Sequence, residues 1–207
     1  MSATAPTTES ATLGIAPSQT VGPFFLNCLL REDARRNTLV QPETAGERIR
    51  IEGRVLDGDG EPVPDALVEI WQADATGRYH HRADNRAAAL TDPAFIGFGR
   101  AGMDDAGAYW FETIRPGAVP FDADQSGRMQ APHISVMVFA RGLLNSLATR
   151  LYFADDPAND ADPVLGLVPA ARRETLLARR MSSDESGAVY RFDIILQGAS
   201  ETVFFNF

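Results

Sequence analysis

A chain of 207 residues, 44% hydrophobic and 23% charged, is long enough for one well-buried domain of ordinary globular composition. A net charge of −9 argues against a nucleic-acid or anionic-membrane partner, each of which asks for a basic face. No apolar run approaches the ~20 residues of a membrane helix, and the single Cys28 excludes an internal disulfide, as expected in a reducing cytoplasm.

Residues 1–16 are rich in Ser, Thr and Ala, with no basic or apolar leader pattern, and are expected to be a flexible tail. Residues 17–207 then read as one domain. A short helix is expected over 24–30, with Cys28 packed among apolar neighbours. Residues 48–57 alternate, Ile49, Ile51 and Val55 on one face and charges on the other, which predicts a strand. It runs into Asp57-Gly58-Asp59-Gly60, a turn rather than a calcium loop, because the sixth and twelfth positions are Pro62 and Val68.

Further strands are predicted over 67–72, 108–113, 134–140, 149–153, 189–196 and 202–207. Residues 170–181 follow Pro169 and carry four Arg around Leu176 and Leu177, which predicts one surface helix. Stretches 73–107 and 114–132 read as long loops, and loops of that length usually serve a site or an interface. The fold class is therefore all-β: a single β-sandwich domain with long loops and one or two short helices.

Three segments carry chemistry: EIWQADATGRYHH at 69–81, RPGAVPF at 115–121 and APHIS at 131–135. They hold all three histidines. His80 and His81 are adjacent, so on a strand they would face opposite ways, and they read as exposed or interface residues. His133 at the head of an apolar strand reads as a hydrogen-bonded buried histidine. Tyr79, His81 and His133, with an acid such as Asp84, are the donors from which this chain could build a metal site of its own.

These three segments together resemble the iron-binding core of the intradiol ring-cleaving dioxygenases. The resemblance runs from Pro17 to Phe207. It includes PSQTVGPFF at 17–25, FARG at 139–142, TRLYFADD at 149–156, RRETLLARR at 172–180 and YRFDIILQGASETVFFNF at 190–207. These are most similar to the alpha-type chain of the family's two-chain, protocatechuate-cleaving branch.

In the family a ferric ion is held by two Tyr and two His. The resemblance places those ligands at Tyr79, Val119, His133 and Ser135, so only the first and third remain. Valine cannot ligate and neutral serine is a poor ligand. The family's Arg three residues before the first His is Gln130 here. The resemblance therefore implies a chain that binds no metal. Its Fe(III) would sit in an iron-bearing beta chain, the two pairing as alpha–beta dimers in a larger oligomer.

It also implies an active site at the alpha–beta interface, walled on this side by Thr20, Gly22, Pro23, Phe24 and Arg141. The family can carry Tyr where this chain has Phe24. The implied reaction joins protocatechuate and O2 to give 3-carboxy-cis,cis-muconate, a step of the β-ketoadipate route of aromatic degradation. Two other readings stay open: an autonomous iron enzyme built on Tyr79, His81, His133 and Asp84, and a non-enzymatic sandwich module.

Overall fold

The computed structural model describes Gly22, residues 25–84, Arg86, and residues 95–121, 127–184 and 187–206. A five-residue helix, α1 (Phe25–Leu29), precedes the strands. The first four are β1 (Arg48–Leu56), β2 (Leu67–Gln72), β3 (Phe98–Gly102) and β4 (Ala108–Ile114). A two-strand ribbon follows, β5 (Val119–Pro120) and β6 (Met129–Gln130). The rest are β7 (His133–Phe139), β8 (Leu147–Phe153), β9 (Leu177–Asp184), β10 (Gly187–Arg191) and β11 (Ile194–Ile195).

One layer runs β3-β2-β7-β8 and the other β9-β10-β1-β11, with β4 paired to β1; the two join where β8 meets β9 in parallel. This is the all-β sandwich that the alternating segments call for. Along β1 the buried residues are Ile49, Ile51, Gly53 and Val55. On β7 Ile134, Val136 and Val138 fill the core, while His133, Ser135, Met137 and Phe139 form the opposite, outer face.

The two layers are also stitched by buried polar groups. Gln72 Nε2 donates to the Ile114 carbonyl (2.9 Å) and its Oε1 accepts from Thr113 Oγ1 (2.8 Å). The Tyr109 hydroxyl, fully inside, donates to the Phe192 carbonyl (2.7 Å), and burial pushes its pKa far up. Gly53 is needed nearby, because a Cβ there would stand 1.8 Å from the Phe192 carbonyl oxygen. Tyr109→Phe is expected to cost about 1–2 kcal/mol in denaturant unfolding, since the carbonyl loses its donor in a dry place. No measurable loss would mean that the carbonyl is satisfied another way.

The structure departs from expectation in six places. Residues 170–181 are not one helix: Ala170–Leu176 is a 3-10 helix, and β9 starts at Leu177. Good helix formers dominate the segment, but Leu176 is buried beside Tyr152, and pairing of Leu177 with Tyr152 extends the chain. The strand expected over 189–196 breaks between β10 and β11 at Phe192 and Asp193. Asp193 turns its Oδ1 to the Arg54 amide (2.9 Å) there.

Of the strand expected over 202–207, the described residues 202–206 form an irregular tail, not a ladder. It is held by Phe205 N donating to the Ala148 carbonyl (2.8 Å) and Thr149 Oγ1 to the Val203 carbonyl (2.7 Å). The loop expected over 73–107 contains β3, and that over 114–132 contains the β5–β6 ribbon. Cys28 is exposed on α1 rather than in the core, because this short surface helix packs through Phe25, whose ring lies 5.8 Å from Phe139. The expected tail, residues 1–16, lies outside the described residues.

Candidate functional site

β7 builds two places on one outer face, at its two ends. His133 and Ser135 head the strand; Phe139 closes it, with Arg141 just beyond. Six residues of strand put these ends about 20 Å apart.

At the first end, cross-strand pairing decides what surrounds the ligand positions. His133 stands opposite Tyr152, their rings 5.6 Å apart. Ser135 stands between Trp71 on β2 and Arg150 on β8. The Tyr79 ring stacks on Trp71, 6.0 Å between centroids and 9° from parallel. Trp71, Tyr79, His81, Asp84, Val119 and Gln130 line a cleft of about 470 Å³. Of the four positions, Tyr79 and Val119 share this cleft, Ser135 lies next to its Trp71 wall, and His133 is buried at the strand head.

Gly77 seats the Tyr79 loop on the β5 side. It has φ of +78°, and a Cβ would stand 1.9 Å from the Ala118 carbonyl oxygen. Asp84 closes the same loop. Its Oδ2 accepts from the Tyr79 amide (2.9 Å) and its Oδ1 from Arg86 Nε (2.7 Å), and this pairing with Arg86 holds its pKa down near 2. Asp84 is thus committed to its own loop rather than presented to an ion.

His133 is 4% exposed. Its Nδ1 lies 2.8 Å from the Ala131 carbonyl, which fits a neutral ring donating there. Burial first, and the Arg150 charge second, lower its pKa to about 4. Burial raises the Tyr79 pKa against the opposing pull of Arg150 and Arg86, so Tyr79 is a phenol, not a phenolate. Gln130 Nε2 donates to the Pro120 carbonyl (2.9 Å) and Gln130 Oε1 accepts from Arg150 Nη1 (2.7 Å). His80 and His81 are exposed.

A ferric ion does not fit this set. Two donors remain of four, and a guanidinium stands across from Ser135. Among the described residues no three His, Cys, Asp or Glu side chains converge.

At the other end, Phe25 packs on Phe139, and the neighbouring Gly22 is exposed. Arg141 is exposed and its Nε pairs with Asp65 on the layer edge. Leu144, in the same turn, is 67% exposed. Gly22 and Arg141 thus lie toward the same end, away from the cleft. Thr20, Pro23 and Phe24 lie outside the described residues.

Two participants are not singled out by the sequence. Arg150 sits in an ordinary strand pattern, and its place shows only once its partner is known to be Ser135. Asp162, 3% exposed, accepts from the Ala131 amide (2.7 Å) and so fixes the residue whose carbonyl meets His133. No helix among the described residues is long and apolar enough to cross a membrane.

Comparison with known proteins agrees with this frame. A family profile described as Dioxygenase matches residues 21–198. The protocatechuate 3,4-dioxygenase alpha chain of Burkholderia cepacia is 42% identical over 205 residues, covering 94% of this chain and 98% of that relative. The beta chain from the same organism is 40% identical over 176 residues, covering 84% and 74%. The dioxygenase domain of a carbohydrate-binding fusion protein from Streptomyces sp. SirexAA-E superposes with a TM-score of 0.60 at 28% identity, covering 88% and 98%. With the profile spanning most of its length and relatives this similar across nearly all of it, the chain belongs to the intradiol ring-cleaving dioxygenase family.

Proposed function

We propose that this chain is the iron-free, alpha-type subunit of a two-chain intradiol dioxygenase. The enzyme joins protocatechuate and O2 to give 3-carboxy-cis,cis-muconate, breaking the ring bond between the two hydroxylated carbons and keeping both oxygen atoms. One observation carries this reading: the family frame is intact, yet Val119 and Ser135 stand at two of the four ligand positions, with Arg150 directly across from Ser135.

A beta-type partner holds the Fe(III), which supplies the redox chemistry. This chain supplies shape and charge. The end of β7 that bears Gly22, Phe25 and Arg141 is its contribution to the shared pocket, together with Thr20, Pro23 and Phe24. Protocatechuate is an aromatic acid, so a guanidinium in the wall can meet its carboxylate. Gly22-Pro23 lets the backbone approach closely, and Phe24 offers an apolar face. Excluding water from that pocket strengthens each of these contacts. The exposed Leu144 beside Arg141 fits a surface that a partner covers. The cytoplasm, where aromatic acids are degraded, is the expected location.

The test is oxygen uptake with protocatechuate by the chain alone, by a beta-type partner alone, and by the two co-expressed. Full turnover is expected only from the pair. Turnover by this chain alone would overturn the reading. Within the pair, Arg141→Ala is expected to raise KM for protocatechuate about tenfold, the size of one lost charge-assisted contact, and to leave KM for uncarboxylated catechol unchanged. Equal effects on both substrates would remove Arg141 from carboxylate recognition.

A further inference from the structure

The missing ligands do not by themselves account for Arg150. It stands on β8 directly across from Ser135, on the outer face, with Trp71 on the far side of the serine. Its Nη1 donates to Gln130 Oε1 (2.7 Å) and lies 3.3 Å from the Tyr152 hydroxyl. Its Nε is buried with no hydrogen-bond partner among the described residues. Among the described residues no carboxylate pairs with it. Asp162, the acid in this network, accepts from the Tyr152 hydroxyl (3.2 Å) instead.

A half-buried arginine without a counter-ion is a costly feature. It stands among residues of the candidate site: it bonds to Gln130 and Tyr152 and lies across from Ser135, next along β7 from His133, whose ring meets Tyr152. Hydrogen bonds run from Arg150 to Gln130 and on to the Pro120 carbonyl, tying β8 through β6 to β5 beside Val119. Ser135 is small enough to leave that path open, whereas an imidazole at this position would press on the guanidinium.

We infer that the Arg150 guanidinium is a resident cation that takes the place of the metal and bars iron from this chain, beyond the loss of the two ligands. The inference rests on the reading of the chain as the iron-free subunit. A fixed positive charge repels a ferric ion and also competes for the oxygen and nitrogen lone pairs that would bind it. Restoring the ligands alone therefore does not restore the site.

The experiment counts iron per alpha–beta pair in the assembled complex. Val119→Tyr with Ser135→His is expected to leave the count at that of the natural pair. Adding Arg150→Gln, which keeps a donor for Gln130 and drops the charge, is expected to add close to one iron per pair, with a new visible phenolate-to-iron absorption. Putting Arg150→Lys in place of Arg150→Gln should return the count to the starting value. A second iron in the double variant would overturn the inference, as would no gain in an Arg150→Gln triple variant that still melts cooperatively.

Arg150→Gln alone covers the case in which the ligand variants fail to fold. Copper(II) should quench Trp71 at least tenfold more tightly than in the natural chain, and equal affinities would overturn the inference. Iron bound stoichiometrically by the natural chain in isolation is a separate result: it would sink the functional reading itself, whatever Arg150 does.

Discussion

Asp162→Ala is expected to cost the folded chain about 3–5 kcal/mol, measured by denaturant unfolding. The carboxylate is 3% exposed. It accepts from the backbone amides of Ala131 (2.7 Å), Val164 (2.9 Å) and Leu165 (2.6 Å) and from the Tyr152 hydroxyl (3.2 Å). Alanine leaves these donors in a place without water. The amide-to-carboxylate bonds are charge-assisted, so each counts for more than a neutral bond. Asp162→Asn keeps an acceptor and should recover about half of the loss. The damage should reach the site, because Asp162 holds the amide of Ala131, the residue whose carbonyl meets His133. A loss below about 1 kcal/mol would show that water can replace the carboxylate.

The second large effect is a loss of stability as pH falls from about 6.5 to about 4. His133 titrates near 4 in the folded chain and near about 6.5 when unfolded. Between those values the unfolded chain binds a proton that the folded chain refuses, so lowering the pH favours unfolding. The stability is fully present above the unfolded value and is lost as pH falls through the folded one. The shift is worth roughly 3 kcal/mol in all. His133→Gln has no such group. Its stability should be flatter than that of the natural chain between pH 7 and pH 4, the difference approaching that amount. Parallel curves would mean that His133 can take up its proton without leaving its place.

The sandwich was legible where one periodicity acted alone. Ile49, Ile51 and Val55 alternate with charged residues, and β1 follows that pattern. It was not legible where tertiary contact overrode local preference. β9 carries Arg179, Arg180 and Met181, good helix formers, yet its register is set by Tyr152 across the ladder. β3 has the sequence FGRAG, which reads as a breaker. Gly99 is buried there because Ile70, Leu39 and Phe111 side chains occupy the space its Cβ would need.

The assignment of Tyr79, Val119, His133 and Ser135 as ligand positions rests on the recognisable segments they fall in. The charge beside them was not legible. Arg150 lies in TRLYF, where an arginine on the outer face of a strand stands out only once pairing sets it across from Ser135 and its hydrogen bond reaches Gln130. Cys28 was misplaced for the opposite reason. Apolar neighbours on a five-residue helix do not bury every face: Phe25 packs on Phe139 while Cys28 stays exposed.

The central claim is that the frame of an iron enzyme survives here without iron. Metal analysis of the chain purified alone, and of its complex with a beta-type partner, tests it most directly. The expected result is no iron in the isolated chain and one iron per alpha–beta pair, with protocatechuate turnover appearing alongside it. Two irons per pair, or stoichiometric iron in the isolated chain, would contradict the account and point to a site completed by His81 or Asp84.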